Sequence, residues 1–192
     1  DAVKQLPSFI RLCCNPLNTE LYRLLRNTES IGIAGNGMGI RINNPLEEKY
    51  RAEWHQDYNS QLRSPDGLVF WSPLVPVTKE NGPVVLCKGS HKAGIAKVIV
   101  NKSSTYHLKI ADEDALHKYT KEAPLSKPGD LLLIDFLNIH RSGLNKSQMA
   151  LWTMQFRFFN FSNPDGQKIN WSGAFASGVD FEDIHPEFVT TK

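Results

Sequence analysis

Leucines recur at the three- and four-residue intervals of a helix face near the start of the chain. They are Leu17, Leu21, Leu24 and Leu25. This period predicts an amphipathic helix over about residues 17 to 29, with Asn18 or Thr19 as its N-cap. We expect this helix to pack outside the main core.

Beyond residue 40 the pattern changes to short β-branched or aromatic runs that end at glycine, proline or asparagine. The predicted strands are residues 49 to 57, 67 to 77, 83 to 87, 130 to 139 and 148 to 161. A short helix is predicted at residues 112 to 120, where acidic residues fill the first turn, and the tail from about residue 162 is predicted to be loop. Many short strands with few helices favour a mainly β fold, either a sandwich or a barrel.

Four glycines lie between the predicted helix and the strands, at Gly32, Gly35, Gly37 and Gly39. They lack the order of strand, GxGxxG and helix that a nucleotide-binding loop requires. A flexible or tightly turned loop is therefore favoured over a phosphate site.

The size of the chain fits one domain. At 192 residues we expect a single domain over residues 1–192, with a helical flank over about 1–30, a barrel over about 40–160 and a loop-rich tail. A formal net charge of +2 gives no basic field for nucleic acid, and no apolar run approaches the roughly 18 to 20 residues of a membrane span. Neither nucleic acid nor a membrane is an expected partner.

The three cysteines, Cys13, Cys14 and Cys87, are odd in number and form no CxxC pair. This pattern argues against a disulfide framework and against a zinc ribbon. We interpret them as reduced thiols of a cytoplasmic protein.

Two segments carry side chains that suit a metal ion. In KYRAEWHQDYN, His55 and Asp57 are two positions apart, so on a strand both leave the same face. In PGDLLLIDFLNIH a turn and an apolar strand end at His140. Two histidines and one carboxylate are the facial ligand set of non-haem Fe(II) oxygenases, which leaves open positions for other ligands. An HxD triplet also arises by chance, and a strand histidine is often a hydrogen-bonded core residue.

Four segments resemble successive parts of the phytanoyl-CoA dioxygenase-like family. They are WHQDYN, LVFWSPLVPVTKENGPVVLCKGSHK, KPGDLLLIDFLNIHRSGLNKS and WTMQFRF, and they span roughly residues 49 to 159. The resemblance implies a double-stranded β-helix, which is a jelly-roll, cupin-like barrel of two facing sheets. It also implies that His55, Asp57 and His140 are the catalytic iron ligands.

The same resemblance implies an activity. The expected protein is an Fe(II)- and 2-oxoglutarate-dependent dioxygenase that uses dioxygen to hydroxylate a small molecule and releases succinate and CO2. Halogenating relatives replace the ligand carboxylate, so the presence of Asp57 favours hydroxylation. Two alternatives stay open. One is a jelly-roll metal-binding protein without oxoglutarate turnover, and the other is a cupin-like isomerase or hydrolase that uses another divalent metal.

One position departs from the family pattern. Relatives bind the far carboxylate of 2-oxoglutarate with an arginine, and that position is Leu151 here. On the same predicted strand face Thr153, Gln155 and Arg157 form a polar row. Arg157 is the candidate replacement, unless it pairs with an acid inside the barrel. Arg141 is a second candidate, and Arg63 and Arg51 are weaker ones.

Other co-substrate contacts are also implied by the resemblance. Ser142 matches a serine that helps to hold the far carboxylate, or it is an ordinary turn residue. Trp71 stands where relatives place an aromatic ring against the co-substrate, or it is a core residue. His91 matches a structural turn rather than a ligand. Surface or loop roles are expected for His107, His117 and His185.

The sequence does not identify the substrate. Loops at a barrel mouth commonly carry specificity, so we expect substrate contacts from residues 32 to 44, from residues 58 to 67 and from the tail after residue 162. Arg63 and Arg41 are candidates to meet an acidic substrate.

Overall fold

A computed structural model describes residues 2–100, 107–173 and 178–190. Its strands are β1 (Ile31–Ile33), β2 (Gly39–Asn43), β3 (Leu68–Pro73), β4 (Val84–Cys87), β5 (Val98–Val100), β6 (Leu108–Ile110), β7 (Lys121–Glu122), β8 (Leu132–Asp135), β9 (His140–Ser142) and β10 (Leu151–Asn160). Its α-helices are α1 (Pro7–Cys13), α2 (Pro16–Arg26), α3 (Tyr58–Gln61), α4 (Pro164–Lys168) and α5 (Phe181–Ile184). Short 3-10 helices lie at Ala2–Gln5, Gly35–Gly37, Ser90–Ala93, Asp114–Lys118 and Pro186–Phe188. Among the described residues, no helix is both long and apolar enough to span a membrane.

The strands form antiparallel sheets. The larger sheet has the order β1-β10-β3-β8, and β2 also pairs with β10. A smaller sheet has the order β7-β4-β9, and β5 pairs with β6. The mainly β class predicted from the sequence is confirmed, and four of the five predicted strand runs contain β3, β4, β8 and β10.

The sheet that contains β10 and the sheet that contains β4 face each other across one hydrophobic core. Val69, Trp71, Ile134 and Leu151 of the larger sheet belong to this core, and Val84 and Leu86 of β4 pack against it. A second core lies on the outer face of the larger sheet, where Phe70, Phe156 and Phe158 pack against Tyr22 of α2. The two faces of β10 therefore have different partners, because successive strand residues point to opposite sides.

The predicted N-terminal helix is present as α2, but its cap and its buried face were wrong. The N-cap is Asn15, whose side chain accepts a hydrogen bond from the Leu17 N–H at 2.9 Å, because Pro16 fits the first helical position. Leu17 is 76% exposed and Leu24 is 63% exposed. The fully buried residue of this helix is Tyr22.

The strand predicted at residues 49 to 57 was also wrong. Within this run, His55 forms an isolated antiparallel bridge with His140, and the pairing does not extend into a ladder of several residues. The backbone at Asp57 is in the right-handed helical region, with φ −62° and ψ −30°, and the chain continues into α3. The backbone of this segment bonds to neighbouring strands only at Ala52, Trp54 and His55, and from Asp57 onward its carbonyls accept the hydrogen bonds of a turn and a helix.

Three further predictions about local structure differ from the observed elements. The glycine-rich region contains β1 and β2 where a loop was predicted, and the ring of Phe159 packs where a side chain on Gly32 would lie. The helix predicted at residues 112 to 120 is a 3-10 helix at Asp114–Lys118. The tail predicted as loop contains α4, capped by Asn163, and α5, which has a capping box between Asp180 and Asp183.

Candidate metal centre and active site

The two candidate histidine ligands are held side by side. The backbone N–H of each donates to the carbonyl of the other at 3.0 Å, so the two residues form a directly opposed antiparallel pair. Opposed residues of such a pair project to the same side. The ring centroids of His55 and His140 are consequently 4.3 Å apart.

Backbone carbonyls fix which nitrogen of each ring is available. The Nδ1 of His55 is 2.7 Å from the Glu53 oxygen, and the Nδ1 of His140 is 2.9 Å from the Asn138 oxygen. A carbonyl oxygen only accepts, so both Nδ1 atoms donate, and Nε2 is the nitrogen that each ring can offer to a metal ion. Burial, and next the neighbouring His55, lower the pKa of His140 to about 4, so this ring is neutral at neutral pH.

Asp57 completes a group of three ligand atoms. Its Oδ1 lies 3.3 Å from His55 Nε2 and 3.5 Å from His140 Nε2. One ligand atom from each residue lies within 4.8 Å of the others, which is close enough to hold one metal ion. Burial raises the pKa of Asp57, but its charged surroundings, with the Arg157 guanidinium first among them, hold that pKa well below its usual range, so the carboxylate is ionised.

Arg157 is committed to this carboxylate. Its Nε donates to Asp57 Oδ2 at 2.6 Å, and its Nη1 and Nη2 donate to the Gly37 carbonyl and to Gln155 Oε1 at 2.6 and 3.1 Å. The predicted role of Arg157 as anchor of a distant carboxylate is therefore replaced by the other interpretation, an ion pair inside the barrel. The pair leaves Asp57 Oδ1 directed at the two histidines.

A cavity of about 560 Å³ opens between the two sheets beside these residues. Of the predicted co-substrate residues, Trp71, Ser142, Thr153 and Arg157 line it, and Leu151 lines it too. Arg141 does not. Its guanidinium lies 4.5 Å from the ring centre of Trp54, because it points away from the face that carries His140 and Ser142. This position does not favour the co-substrate role predicted for Arg141.

Each of the three regions expected to contact the substrate contributes to the cavity wall. The contributions include Asn36 to Arg41, Asn59 to Gln61 and Asp180 to Glu182. Arg63 lies outside it, with its guanidinium 5.2 Å from the ring centre of Phe159, and Arg51 also lies outside it. The expectation that Arg63 meets an acidic substrate was therefore wrong, whereas Arg41 lines the cavity.

Two buried polar side chains of the cavity wall have no hydrogen-bond partner among the described residues. Thr153 is 1% exposed with its hydroxyl unpaired, and Asn59 is 2% exposed with both amide atoms unpaired. Buried polar atoms are nearly always paired in folded proteins, so these atoms mark places for a ligand or water. Asn59 lies in the run of residues 58 to 67 where substrate contacts were expected, but no motif singled it out, because its burial depends on α3 folding against the barrel.

The remaining histidines lie apart from the three ligand atoms. His91 lies in the 3-10 helix at Ser90–Ala93, as a structural turn predicts. His117 and His107 are both exposed, and His107 also lines the cavity. His185 lies in the loop position expected for it, between α5 and the 3-10 helix at Pro186–Phe188, where its Nε2 is 2.9 Å from the Tyr58 hydroxyl and its ring packs near Phe181 and Phe188.

The fold and these side chains define a jelly-roll protein with an open two-histidine, one-carboxylate metal site. The family model described as Phytanoyl-CoA dioxygenase (PhyH) matches residues 28–150. The chain therefore belongs to the phytanoyl-CoA dioxygenase family. A search of curated protein sequences finds no match.

Solved structures share the fold. EctD from S. alaskensis, crystallised with 2-oxoglutarate and 5-hydroxyectoine, has a TM-score of 0.66 and 21% identity over 85% of this chain and 56% of its own. SnoN, described as an epimerase in complex with Fe³⁺, alpha ketoglutarate and nogalamycin RO, has a TM-score of 0.67 and 16% identity over 94% of this chain and 70% of its own. The chain thus spans little more than half the length of EctD. These neighbours confirm the predicted double-stranded β-helix.

Proposed function

We propose that this protein is a non-haem Fe(II)- and 2-oxoglutarate-dependent oxygenase that hydroxylates a small molecule. Membership of the phytanoyl-CoA dioxygenase family supports the proposal, as does the fold shared with EctD and SnoN, whose structures contain 2-oxoglutarate or alpha ketoglutarate.

The free state of Cys13, Cys14 and Cys87 supports a reducing compartment, and we propose the cytoplasm.

The observation that carries the proposal is the convergence of His55 Nε2, His140 Nε2 and Asp57 Oδ1 on one wall of the cavity. Imidazole and carboxylate suit ferrous iron, and three ligands from one side leave positions open toward the cavity. A bound Fe(II) would supply the activation of dioxygen, coupled to conversion of 2-oxoglutarate into succinate and CO2.

The chain's own residues prepare that site. The carbonyls of Glu53 and Asn138 hold the tautomers of the two ligand rings, and Arg157 holds the orientation of Asp57. Apolar side chains such as Val69 and Ile134 line the same cavity and make part of its inner wall apolar. The site is thereby ordered before an ion or a ligand arrives.

One observation favours a second candidate. Leu151 lines the cavity and is 1% exposed, and it offers no donor to a carboxylate. This suits a jelly-roll metal-binding protein without oxoglutarate turnover. The ligand set alone also admits an isomerase or hydrolase with another divalent metal.

Succinate formation separates these candidates. Protein freed of metal and then loaded anaerobically with Fe(II) is mixed with 2-oxoglutarate and exposed to dioxygen, and succinate is measured. The oxygenase forms succinate only when iron, 2-oxoglutarate and dioxygen are all present. Bound iron without succinate supports the metal-binding candidate. Conversion of a small molecule by protein that holds zinc or manganese in place of iron supports an isomerase or hydrolase. Transfer of labelled dioxygen to a product separates hydroxylation from epimerisation.

A further inference from the structure

The second carboxylate of 2-oxoglutarate needs a partner in the cavity wall, and this inference rests on the proposed function. A carboxylate that leaves water is costly unless donors or a cation replace the lost solvent. Arg157 already binds Asp57, and neither Arg141 nor Arg63 lines the cavity. The other Lys and Arg residues of the described wall are Lys4, in the 3-10 helix at Ala2–Gln5, and Arg41, whose strand pairs directly with β10.

Strand register places Arg41 on the cavity side. Its Cα is paired with that of Thr153 across β2 and β10, and Asn43 is paired with Leu151 in the same way. Directly opposed residues of an antiparallel pair project to the same face of the sheet. Arg41, Asn43, Leu151 and Thr153 accordingly all line the cavity.

Two hydrogen bonds show where the guanidinium of Arg41 lies. Its Nε donates to Asn43 Oδ1 at 2.9 Å, and its Nη2 donates to the Tyr50 carbonyl at 2.6 Å. Asn43 is opposite Leu151, so Arg41 Nε is bonded to the side chain that neighbours this leucine across the two strands. Arg41 is therefore the candidate to supply, from β2, the cation that position 151 of β10 lacks.

Two hydroxyl groups belong to the same part of the wall, which we call the far end of the cavity and define by Arg41, Ser142, Leu151 and Thr153. The buried hydroxyl of Thr153, on the residue opposite Arg41, lacks a partner among the described residues. The Ser142 N–H donates to the carbonyl of Ala52 at 3.1 Å, two residues after Tyr50. One cation and two hydroxyls together match the needs of a carboxylate.

We propose that Arg41, with Thr153 and Ser142, binds the second carboxylate of 2-oxoglutarate. Arg41 is then the residue that selects a 2-oxo acid with two carboxylates over one with an uncharged tail. The apolar Leu151 packs against the carbon chain of the ligand instead of binding its charge.

The test measures binding to the anaerobic Fe(II) protein by calorimetry and by the visible charge-transfer absorption of a chelated 2-oxo acid. The ligands are 2-oxoglutarate and 2-oxopentanoate, which has a methyl group in place of the second carboxylate. We expect Arg41→Met to weaken 2-oxoglutarate binding by about 10- to 100-fold, as for loss of a charged hydrogen bond. Its affinity for 2-oxopentanoate is expected to stay at the parent value. Arg41→Lys should fall between the two proteins.

Arg11→Met is the matched control, because it removes the same charge from an exposed position of α1 away from the cavity, and it should bind both ligands like the parent. Iron stoichiometry reports whether each variant keeps its fold. If Arg41→Met loses iron, Arg41→Gln, which keeps a donor toward Asn43, replaces it.

Two outcomes overturn the assignment of Arg41 alone. They are unchanged 2-oxoglutarate affinity in Arg41→Met, and a parent protein that prefers 2-oxopentanoate. A parent that binds iron but neither 2-oxo acid overturns the proposed function together with the inference.

Discussion

The candidate metal ligands and the rest of the cavity wall differ in how their polar atoms are paired. Both Nδ1 atoms of His55 and His140 donate to carbonyls, and Asp57 Oδ2 accepts from Arg157, so the atoms left for a metal ion are the two Nε2 atoms and Asp57 Oδ1. In the wall beyond, Thr153 and Asn59 are buried with polar atoms that have no partner among the described residues.

The two groups of side chains are therefore suited to two different kinds of ligand. A metal ion needs ligand atoms that are fixed in position and in protonation state before it binds, which the carbonyls and Arg157 provide. An organic ligand needs donors and acceptors that are not already used by the protein. We therefore expect substitutions at the metal-binding group to impair iron binding or stability, and substitutions in the wall to leave the apo protein stable.

The largest effect is expected from loss of a ligand. His55→Ala and His140→Ala should each abolish iron binding, a greater loss than the roughly 10- to 100-fold that removal of a supporting partner causes. His117→Ala is the control, since His117 is exposed and apart from the three ligand atoms. Iron content after anaerobic loading is the measurement. Full iron occupancy in either ligand variant would refute the ligand assignment.

Arg157→Met should give the next largest effect. It leaves the ionised Asp57 buried without its partner, and breaking a buried ion pair in this way costs about 3 to 5 kcal/mol. Urea denaturation of the metal-free protein measures the free energy of unfolding. Arg11→Met removes an equal charge at an exposed site and should change that free energy by about 0.5 kcal/mol or less. Equal stability of the two variants would contradict the pairing of Arg157 with Asp57.

The residues of the site could be predicted from the sequence where they belong to a short pattern, and not where they depend on contacts between distant segments. His55, Asp57 and His140 were recognisable because an HxD triplet and a histidine at the end of an apolar strand are short patterns. The partner of Arg157 was not, since Asp57 is 100 positions away along the chain and the contact depends on the packed barrel. Arg41 faces the far end of the cavity only because of the register between β2 and β10.

The fold shows the same division. The β3, β4, β8 and β10 strands were predicted because each is a continuous apolar or aromatic run with turn residues at its ends. The run at residues 49 to 57 has a strand-like composition but forms one bridge, since hydrogen bonding to a neighbour decides whether a strand extends. The exposed leucines of α2 likewise show that helical spacing alone does not tell which face is buried.

The buried hydroxyl groups of Thr153 and Ser64 allow a further test, with smaller expected changes in the free energy of unfolding. Thr153→Val removes a buried hydroxyl that has no partner among the described residues, so the free energy of unfolding of the apo protein should stay constant or rise by up to about 1 kcal/mol. Ser64→Ala is the contrast, because Ser64 Oγ accepts from the Asn160 N–H at 2.9 Å in an equally buried place. Its loss should cost about 1 to 3 kcal/mol. Urea denaturation of both variants tests the difference, and similar losses would show that Thr153 is paired in solution.

The smallest effect is expected at Asn59. Neither amide atom has a partner among the described residues, so Asn59→Leu, which keeps a similar shape, should change the free energy of unfolding by about 0.5 kcal/mol or less. Asn145→Leu provides the matched contrast, since the Asn145 amide donates to the Asn43 and Met149 carbonyls at 2.9 and 2.8 Å. That variant removes these two hydrogen bonds and the two that Asn145 Oδ1 accepts from Ser147, and it should lose at least about 1 kcal/mol. A loss at Asn59 as large as that at Asn145 would mean that Asn59 stabilises the fold, and its place in the cavity wall would then no longer indicate a ligand.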